Sequence, residues 1–392
     1  MSTSKKALLV TTVSGFVPQF EMNHVRLLQS MGYEVHYAAN FHTPSYGDDN
    51  SRLDGTGIIC HQIDFVRSPF RPENVRVFLQ LTRLMREISF DLVHCHTPMG
   101  GVMARLAART TKTAPVIYTA HGFHFFDGAP LVNWLCYYPM ELLLSYLTDQ
   151  QICINREDYE RAKAKFRAKY TDYIPGVGID LSRIRAFDAI DPIKKRQELA
   201  LPTDKFLVLS SGELIPRKNH ETALRAVAGV KDAIPNLHYV ICGHGALDSK
   251  LKALADELHI SDRVTFLGYR TDMLEIYRAA DLFLFPSYQE GLPMALLEAM
   301  ASGLAVICSD IRGSHDLMEP IKTDGALTLC KGGILIDKAD HIAAYEKALR
   351  LLATHPEELC KMGQANALRA ESFTCETVTQ IMEKIYRRIE QL

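Results

Sequence analysis

Residues 282–303 read LFLFPSYQEGLPMALLEAMASG and carry the clearest folding signal in the chain. The first four residues form an apolar run typical of a buried strand, and residues 286–292 supply turn residues. Leucine and methionine then recur at helical spacing up to Gly303, with Pro293 placed where it fits a first helical turn. The stretch predicts a strand, a loop and a helix in direct succession, which is the building block of a parallel sheet.

The same alternation of short apolar runs and helical patterns extends outward on both sides. Further strands are predicted at 7–13, 34–39, 92–95, 116–119 and 151–155, and then at 206–211, 237–242, 264–267, 306–309 and 333–336. Helical patterns are predicted at 19–31, 341–353, 356–370 and 376–390. We therefore expect an α/β protein with two Rossmann-like domains that face a central cleft. Turn residues within 175–202 suggest domains at 1–185 and 186–372, with a C-terminal helix at 373–392 returning to the N-terminal domain.

Composition excludes several classes of protein. The 392 residues are 47% hydrophobic and 23% charged with a net charge of −2, so a single small domain and nucleic-acid binding are both disfavoured. The nine cysteines include no Cys-x-x-Cys pair, which favours free thiols in the cytoplasm. We expect no signal peptide, and no transmembrane helix because the most apolar stretch, residues 131–147, contains Asn133, Pro139 and Glu141.

The predicted loop and helix at 286–303 also suggest a binding site. Free amides and the dipole at a helix N-terminus attract a phosphate, and two carboxylates, Glu290 and Glu298, lie on either side of that terminus. Carboxylates accept hydrogen bonds from paired hydroxyls, so one could hold a ribose and the other a hexose. The alternative is that Glu290 caps the helix and Glu298 lies on a solvated face.

The stretch Glu290-Gly-Leu-Pro-x4-Glu-Ala-Met-Ala-Ser-Gly resembles the Glu-x7-Glu motif of the retaining family 4 glycosyltransferases, which have the GT-B fold. The resemblance extends over nearly the whole chain. It implies that Glu290 contacts the donor sugar and Glu298 the nucleotide ribose. It also places the residues between them in the donor site, namely Gly291, Leu292, Pro293 and Met294.

A second stretch, Gly212 to Asn219, is similar to the family segment whose Arg and Lys contact the donor diphosphate. Lys218 matches the family lysine. Glu213 stands where the family commonly has the arginine, and the neighbouring Arg217 could substitute for it. The resemblance further implies that Gly243 approaches the ligand and that Tyr269 and Arg270 border the nucleotide base.

In the first half, Gly15 and His121 follow predicted strands, at the edge where open α/β sheets bind ligands. The resemblance implies that Gly15 lies beside the diphosphate and that His121 faces the donor sugar. His94 and His96 alternate on one strand face, and we interpret them as structural. No Asp-x-Asp occurs, so we expect neither a metal site nor any other cofactor. The Gly-x-Gly-x-x-Gly fingerprint of dehydrogenases is absent as well.

Together these features predict a retaining, metal-independent transferase, with His121, Glu290 and Lys218 as its catalytic residues. Its donor is expected to be a nucleoside diphosphate sugar, specifically a UDP-sugar carrying a hexosyl or N-acetylhexosaminyl unit. Similarity to bacterial capsule and exopolysaccharide enzymes suggests an undecaprenyl-diphosphate-linked acceptor and a peripheral contact with the inner face of the cell membrane. The alternatives are a nucleotide-sugar epimerase, a phosphorylase, and a non-catalytic partner subunit that binds a sugar nucleotide.

Overall fold

The computed structural model describes residues 4–46 and 49–392. The chain divides into two compact units. Unit 1 contains residues up to Gly178 together with Cys375–Leu392, and unit 2 contains Ile179–Thr374. The predicted boundary at 185 lies a few residues too late, because residues 181–185 form a helix that packs within unit 2 and Ile179 N–H donates to the carbonyl of Phe373.

Unit 1 is built on a seven-stranded parallel sheet in the order β3-β2-β1-β4-β5-β6-β7. Its strands are β1 (Lys5–Val13), β2 (Tyr33–Asn40), β3 (Ile59–Gln62), β4 (Leu92–His96), β5 (Val116–Ala120), β6 (Gln150–Cys153) and β7 (Tyr170–Tyr173). The helices between them are α1 (Met22–Ser30), α2 (Glu73–Glu87), α3 (Pro98–Thr111), α4 (Leu131–Ser145) and α5 (Arg156–Lys165). The central strands are buried along nearly their whole length, as expected of a parallel sheet covered by helices on both faces.

The helix predicted at 19–31 differs from the observed structure at its start. A single π-helical turn covers Val17–Glu21, and the α-helix α1 begins only at Met22. Pro18 lies near the start of this turn, where a missing N–H removes no helical hydrogen bond. The irregular turn ends at Glu21, whose side chain is buried.

Unit 2 has an eight-stranded sheet in the order β10-β9-β8-β11-β12-β15-β14-β13. Its strands are β8 (Phe206–Ser211), β9 (Leu237–Cys242), β10 (Val264–Gly268), β11 (Leu282–Phe285), β12 (Ala305–Ser309), β13 (Pro320–Asp324), β14 (Leu327–Cys330) and β15 (Gly333–Ile336). Strands β13, β14 and β15 pair antiparallel, whereas the other pairs are parallel.

The helices of unit 2 alternate with the strands along the chain, and several of them cover the faces of this sheet. They are α6 (Leu181–Arg185), α7 (Pro192–Glu198), α8 (His220–Gly229), α9 (Asp248–Glu257), α10 (Met273–Ala279), α11 (Met294–Ala301), α12 (Arg312–Leu317), α13 (Ile342–Ala353) and α14 (Pro356–Ala370). An apolar core runs between the sheet and helices α8, α9, α13 and α14. No helix in the described part of the chain has the length and apolar character needed to cross a membrane.

The last helix, α15 (Cys375–Ile389), belongs to unit 1 although it follows unit 2 in sequence. Its buried side chains recur at intervals of three and four residues, which gives one apolar face. On that face the buried Tyr386 hydroxyl lies 2.9 Å from His94 Nδ1 of β4. Arg388 pairs with Asp172 of β7, and Lys5 of β1 pairs with Glu390 at 2.9 Å.

Candidate active site

In unit 2, the stretches that follow β8 and β11 meet at the carboxyl edge of the sheet. Glu290, in the loop after β11, forms ion pairs with two residues of the 3₁₀ turn that follows β8, Pro216–Lys218. Arg217 Nη1 lies 2.8 Å from Glu290 Oε2, and Lys218 Nζ lies 2.8 Å from Glu290 Oε1. The structure therefore brings together three of the residues that the sequence singles out.

The two cations are held differently. Lys218 is largely buried and its ammonium lies 5.0 Å from the centre of the Phe285 ring, which provides a cation–π contact. The Arg217 side chain is 41% exposed and donates a further hydrogen bond to the Gln289 carbonyl at 2.8 Å. Lys218 is thus fixed in one place, whereas Arg217 reaches into solvent from the edge of the site.

The environment of Glu290 favours its ionised form. Burial alone would raise the pKa of this carboxyl, but the charges of Lys218 and Arg217 outweigh it and hold the pKa of Glu290 below its usual range. Glu290 is therefore a carboxylate at neutral pH. The two cations and this anion leave about one net positive charge at the edge of the sheet.

Glu298 lies on α11 and has a different environment. Its carboxylate is 3.5 Å from the hydroxyl of Tyr277, which also lies 3.1 Å from Ser211 Oγ at the end of β8. Burial raises the pKa of Glu298, while the charge of Arg183 offsets part of that rise. Pro293 stands just before α11 in an extended conformation, one position earlier than predicted, so the helix begins with the free amide of Met294.

Two polar residues without a predicted role fix the loop that carries Glu290. Asn219 donates from Nδ2 to the carbonyls of Pro286 and Ala339, at 3.0 and 2.7 Å. Arg312, buried at the start of α12, donates from Nε to the Glu290 carbonyl at 3.0 Å. Asn219 ends the Gly212–Asn219 stretch that the sequence singles out, but the sequence assigns it no role, and Arg312 lies outside every predicted motif. Only the folded chain shows that both residues fix the loop of Glu290.

The remaining donor-site candidates of unit 2 lie along the same edge. Gly243 follows β9, and a Cβ built on it would lie 1.9 Å from the carbonyl oxygen of Gly212, so only glycine fits there. Tyr269 is 70% exposed beside β10, while Arg270 makes a two-pronged pair with Asp272 at 2.8 and 2.7 Å. The further candidates near this edge are Glu213, which is exposed, Gly291, which is partly buried, Leu292, which is buried, and Met294, which is partly buried.

In unit 1, Gly15 also occupies a position that only glycine can take. Its N–H donates to the Pro44 carbonyl at 2.7 Å, and a Cβ there would lie 1.8 Å from the carbonyl oxygen of Ser45. The backbone after β1 is thereby joined to the loop that follows β2. This close approach is a structural reason for glycine, independent of any ligand.

His121 follows β5 and meets two other residues at the carboxyl edge of the unit 1 sheet. Its Nε2 lies 3.1 Å from His96 Nδ1 and 3.5 Å from Glu21 Oε1, and its side chain is 20% exposed. Burial lowers the pKa of His121, although the charge of Glu21 opposes the shift. Burial likewise lowers the pKa of His96 well below the usual range, so both imidazoles are neutral at pH 7.

Glu21 is a buried residue that strand-end patterns do not reveal. It ends the π-helical turn, and His24 Nδ1 lies 2.5 Å from its second carboxylate oxygen, Oε2. The sequence signal that could have found it is the Glu-x-x-His spacing, which places both side chains on one side of a helical turn. His94 and His96 share one face of β4 as predicted, with ring centres 4.2 Å apart.

A cavity of about 320 Å³ opens beside this cluster within unit 1. Polar residues in its wall include Thr12, Thr97, Arg67 and Glu141. Apolar side chains in the wall include Met99 of α3 and Met140 of α4. Thr97 has a φ of 62°, which is uncommon for a β-branched residue. Its hydroxyl lies 2.8 Å from Thr12 Oγ1 and accepts from the Thr12 N–H at 3.1 Å.

Comparison with known families gives the same result for both units. A family model described as "Glycosyl transferases group 1" matches residues 191–369, and one described as "Glycosyl transferase 4-like" matches residues 5–155. The chain is 37% identical over 387 residues to the EpsD protein of Bacillus subtilis (strain 168), whose name assigns it to the glycosyltransferases. The match covers 98% of this chain and 96% of EpsD.

A second relative and a solved structure extend the comparison. The chain is 28% identical over 321 residues to the UDP-Gal:alpha-D-GlcNAc-diphosphoundecaprenol alpha-1,3-galactosyltransferase of Escherichia coli, covering 79% of this chain and 80% of that protein. The Anabaena protein Alr3699/HepE in complex with UDP-glucose superposes with a TM-score of 0.74 at 19% identity, covering 98% of this chain and 99% of that one. The structural match confirms an α/β GT-B fold with two Rossmann-like domains.

Proposed function

Because the chain belongs to the group 1 glycosyl transferases and is a transferase enzyme, we propose that it transfers a hexosyl or N-acetylhexosaminyl unit with retention at the anomeric carbon. The donor in this proposal is a nucleoside diphosphate sugar, preferably a UDP-sugar. The acceptor is a hydroxyl of a lipid-linked glycan used in bacterial surface polysaccharide synthesis. UDP-glucose in the Anabaena structure and the diphosphoundecaprenol named for the Escherichia coli relative support these choices.

One observation carries the donor assignment, namely the ion pairs of Glu290 with Lys218 and Arg217 beside the N-terminus of α11. Two cations and free helix amides suit the two phosphates of a nucleoside diphosphate. The Glu290 carboxylate, already ionised, is suited to accept hydrogen bonds from hydroxyls of the sugar. In this arrangement Lys218 binds the phosphate that carries the leaving oxygen.

The nucleoside end of the donor is assigned to Glu298 and to residues after β9 and β10. The Glu298 carboxylate would accept hydrogen bonds from the two ribose hydroxyls. The Gly243 backbone lets the ligand approach closely, and the exposed ring of Tyr269, beside Arg270, offers a surface on which a base can stack. From unit 1, His121 would contact the donor sugar and Gly15 the diphosphate.

The proposed reaction requires no protein nucleophile. The bond between the anomeric carbon and the diphosphate oxygen breaks, and its electron pair remains on that oxygen. The acceptor oxygen forms the new bond on the same face, and its proton passes to the leaving phosphate. Lys218 and Arg217 stabilise the negative charge that grows on the phosphate, so no divalent cation is needed at that position.

The cavity of unit 1 supports a lipid-linked acceptor. Arg67 and the N-terminus of α3 contribute positive charge to its wall, the Glu141 carboxylate in the wall is paired with Arg105, and Met99 and Met140 contribute apolar surface. This combination suits a sugar diphosphate attached to a hydrocarbon chain. The exposed faces of α2 and α4 add apolar side chains, and α2 also carries arginines, which suits a membrane surface. Those apolar side chains are Val75, Leu79, Leu131, Val132 and Leu135.

The proposal is tested in two steps with the full-length protein. Thermal unfolding is first measured with UDP, GDP, ADP and their sugars, because a ligand that binds only the folded state raises the unfolding temperature. We expect the largest rise with UDP or a UDP-sugar. The preferred donor is then incubated with an undecaprenyl-diphosphate-linked sugar, and the anomeric configuration of the product is read by NMR.

Each outcome of this test separates the proposal from its rivals. A product with inverted configuration would overturn retention, and binding without any product from a panel of lipid-linked acceptors would favour a partner subunit. Conversion of the free nucleotide sugar into its epimer would indicate an epimerase, and a sugar phosphate formed with inorganic phosphate would indicate a phosphorylase.

A further inference from the structure

Three atoms of the kind that bind metals converge in unit 1, away from the residues assigned to the donor diphosphate in unit 2. They are Glu21 Oε1, His96 Nδ1 and His121 Nε2. The carboxylate oxygen lies 3.5 Å from each nitrogen, and the two nitrogens are 3.1 Å apart. Glu21 is 1% exposed and His96 is fully buried, so the cluster sits at the base of the carboxyl edge.

These separations match the edges of a small tetrahedron. A zinc ion bonds to nitrogen and oxygen ligands at about 2.0–2.1 Å, which places tetrahedral ligands about 3.3–3.4 Å apart. An octahedral ion with bonds of about 2.1 Å would need ligands only about 3.0 Å apart, and calcium prefers oxygen ligands. Two histidines and one carboxylate form a common protein ligand set for zinc with one open position.

The hydrogen bonds around the cluster leave room for a cation. His24 Nδ1 lies 2.5 Å from Glu21 Oε2 and so fixes the orientation of the carboxylate. Within the described residues, Glu21 Oε1 has no hydrogen-bond partner although it is buried. A buried carboxylate oxygen without a donor is costly, and a positive ion would satisfy it.

The neighbouring His94 is committed to other contacts. Its Nδ1 faces the Tyr386 hydroxyl at 2.9 Å and its Nε2 faces Thr119 Oγ1 at 2.8 Å. Its ring packs against that of His96, with centres 4.2 Å apart. His94 therefore serves to hold the His96 ring in place, as outer partners commonly do around metal ligands.

We propose that Glu21, His96 and His121 bind one zinc ion, with water in the fourth position. The three residues come from the π-helical turn, the end of β4 and the residue after β5, so the ion ties together three segments at the carboxyl edge. With zinc on Nε2, the proton of His121 is kept on Nδ1, where it remains available as a donor. One of its ligands, His121, is also the residue that the proposed function places beside the donor sugar, but the site itself places no cation at the diphosphate.

The test uses full-length, tag-free protein stripped with a strong chelator and then titrated with zinc, with bound metal measured by elemental analysis. Wild type is expected to bind one zinc per chain. Glu21→Gln and His121→Ala are expected to weaken zinc binding on the order of 100-fold or more, since the first removes the negative charge of a ligand and the second removes a ligand. Cobalt(II) in place of zinc should give the intense visible absorption of a four-coordinate ion.

The matched control is His61→Ala. His61 Nε2 also contacts a histidine nitrogen, His36 Nδ1, at 2.8 Å, but the nearby Glu34 bonds the opposite nitrogen of His36, so no three atoms converge there. Zinc binding should be unchanged in this variant. UDP binding is measured in every sample, so that a failure of the donor proposal is seen separately.

Three results would overturn the proposal. These are a stripped wild type that takes up no zinc, cobalt that gives the weak absorption of a six-coordinate ion, and zinc binding as tight as wild type in both Glu21→Gln and His121→Ala. The first two readings use the wild-type chain, so they hold even if a variant fails to fold.

Discussion

Two neighbouring regions of unit 2 hold carboxylates in opposite ways. In the loop after β11, Glu290 is paired with Lys218 and Arg217, and its pKa is lowered. On α11, Glu298 has a tyrosine hydroxyl at 3.5 Å, and burial raises its pKa. The loop contributes both to stability and to the proposed chemistry, whereas the carboxylate on the helix costs stability until a ligand supplies hydrogen bonds.

The largest effect is expected from Lys218→Ala. The charge on the leaving phosphate grows as the glycosidic bond breaks, so we expect turnover to fall about 10²- to 10³-fold, as for loss of one oxyanion-stabilising donor. The Kd for UDP should rise less than about tenfold, because the ground state gains less from the cation. Steady-state kinetics and calorimetry measure the two quantities.

Arg217→Ala serves as the matched control for that comparison. Its side chain is 41% exposed, against 13% for Lys218, so its charge is more strongly screened and a smaller loss of turnover is expected. Equal losses in turnover and in UDP affinity for Lys218→Ala would contradict the assignment to the leaving phosphate.

The next effect concerns the helix. Glu298→Ala removes charge-assisted hydrogen bonds to the ribose, and we expect the Kd for UDP to rise about 10- to 100-fold. Calorimetry with UDP measures this change. Glu257→Ala, at the far end of α9 and exposed, should leave the Kd unchanged. An unaltered Kd in Glu298→Ala would contradict the assignment of the ribose to Glu298.

A smaller effect is expected on the stability of the ligand-free protein, where the loop carrying Glu290 and the helix carrying Glu298 should respond differently to substitution. Glu290→Gln leaves two cations without their carboxylate and should lower the free energy of unfolding by about 1–2 kcal/mol at pH 7. Glu298→Gln removes a poorly compensated charge and should raise the free energy of unfolding by up to about 1 kcal/mol. Urea unfolding without ligand measures both, and shifts of the same sign would mean that the two environments are alike.

The dependence on pH follows from the directions of the pKa shifts. The stability that Glu290 contributes is present above the ordinary glutamate pKa and is lost as the pH falls through its lowered folded-state value. The cost of Glu298 appears as the pH rises through its raised folded-state value. The difference between the two variants should therefore be largest at neutral pH and shrink in acid, and a constant difference would contradict it.

The last prediction is that removing divalent cations has no effect on UDP binding. In the proposed function Lys218 and Arg217 supply the positive charge at the diphosphate, so EDTA should leave the Kd for UDP unchanged. Calorimetry with chelator-treated protein tests this, with and without added Mg²⁺. A Kd that falls on addition of Mg²⁺ would indicate that a divalent cation binds near the loop carrying Glu290, and would contradict the view that Lys218 and Arg217 suffice there.

The sequence predicts the centres of both sheets better than their edges. Strands β8, β9 and β15 agree with their predicted bounds because they are continuous apolar runs. The strands β3, β7, β13 and β14 were not predicted, since they lie at or near the sheet edges. The residues of β3, β7 and β13 are exposed or only partly buried, so their hydrophobic pattern is weak. Strand β14 has only four residues, of which the first and the last are buried.

The candidate site also contains residues that the sequence identifies and residues that only the structure shows. The motif around Glu290 and the adjacent Lys218 could be identified from strand-end spacing and from the resemblance. For Glu21 the sequence signal is limited to the Glu-x-x-His spacing with His24, because the π-helical turn that positions it has no periodic signature. Asn219 donates to backbone carbonyls 67 and 120 residues away, and Arg312 donates to one 22 residues away. A linear pattern does not encode such contacts.

The return of α15 to unit 1 has a consequence for how the protein matures. Unit 2 is one uninterrupted segment, Ile179–Thr374, whereas unit 1 is split between the two ends of the described chain. During synthesis, Tyr386 of α15, whose buried hydroxyl contacts His94, is added 292 residues after that histidine. Unit 1 can therefore acquire its last helix only after the whole of unit 2 has been synthesised, so the two units do not mature simply in the order of the chain.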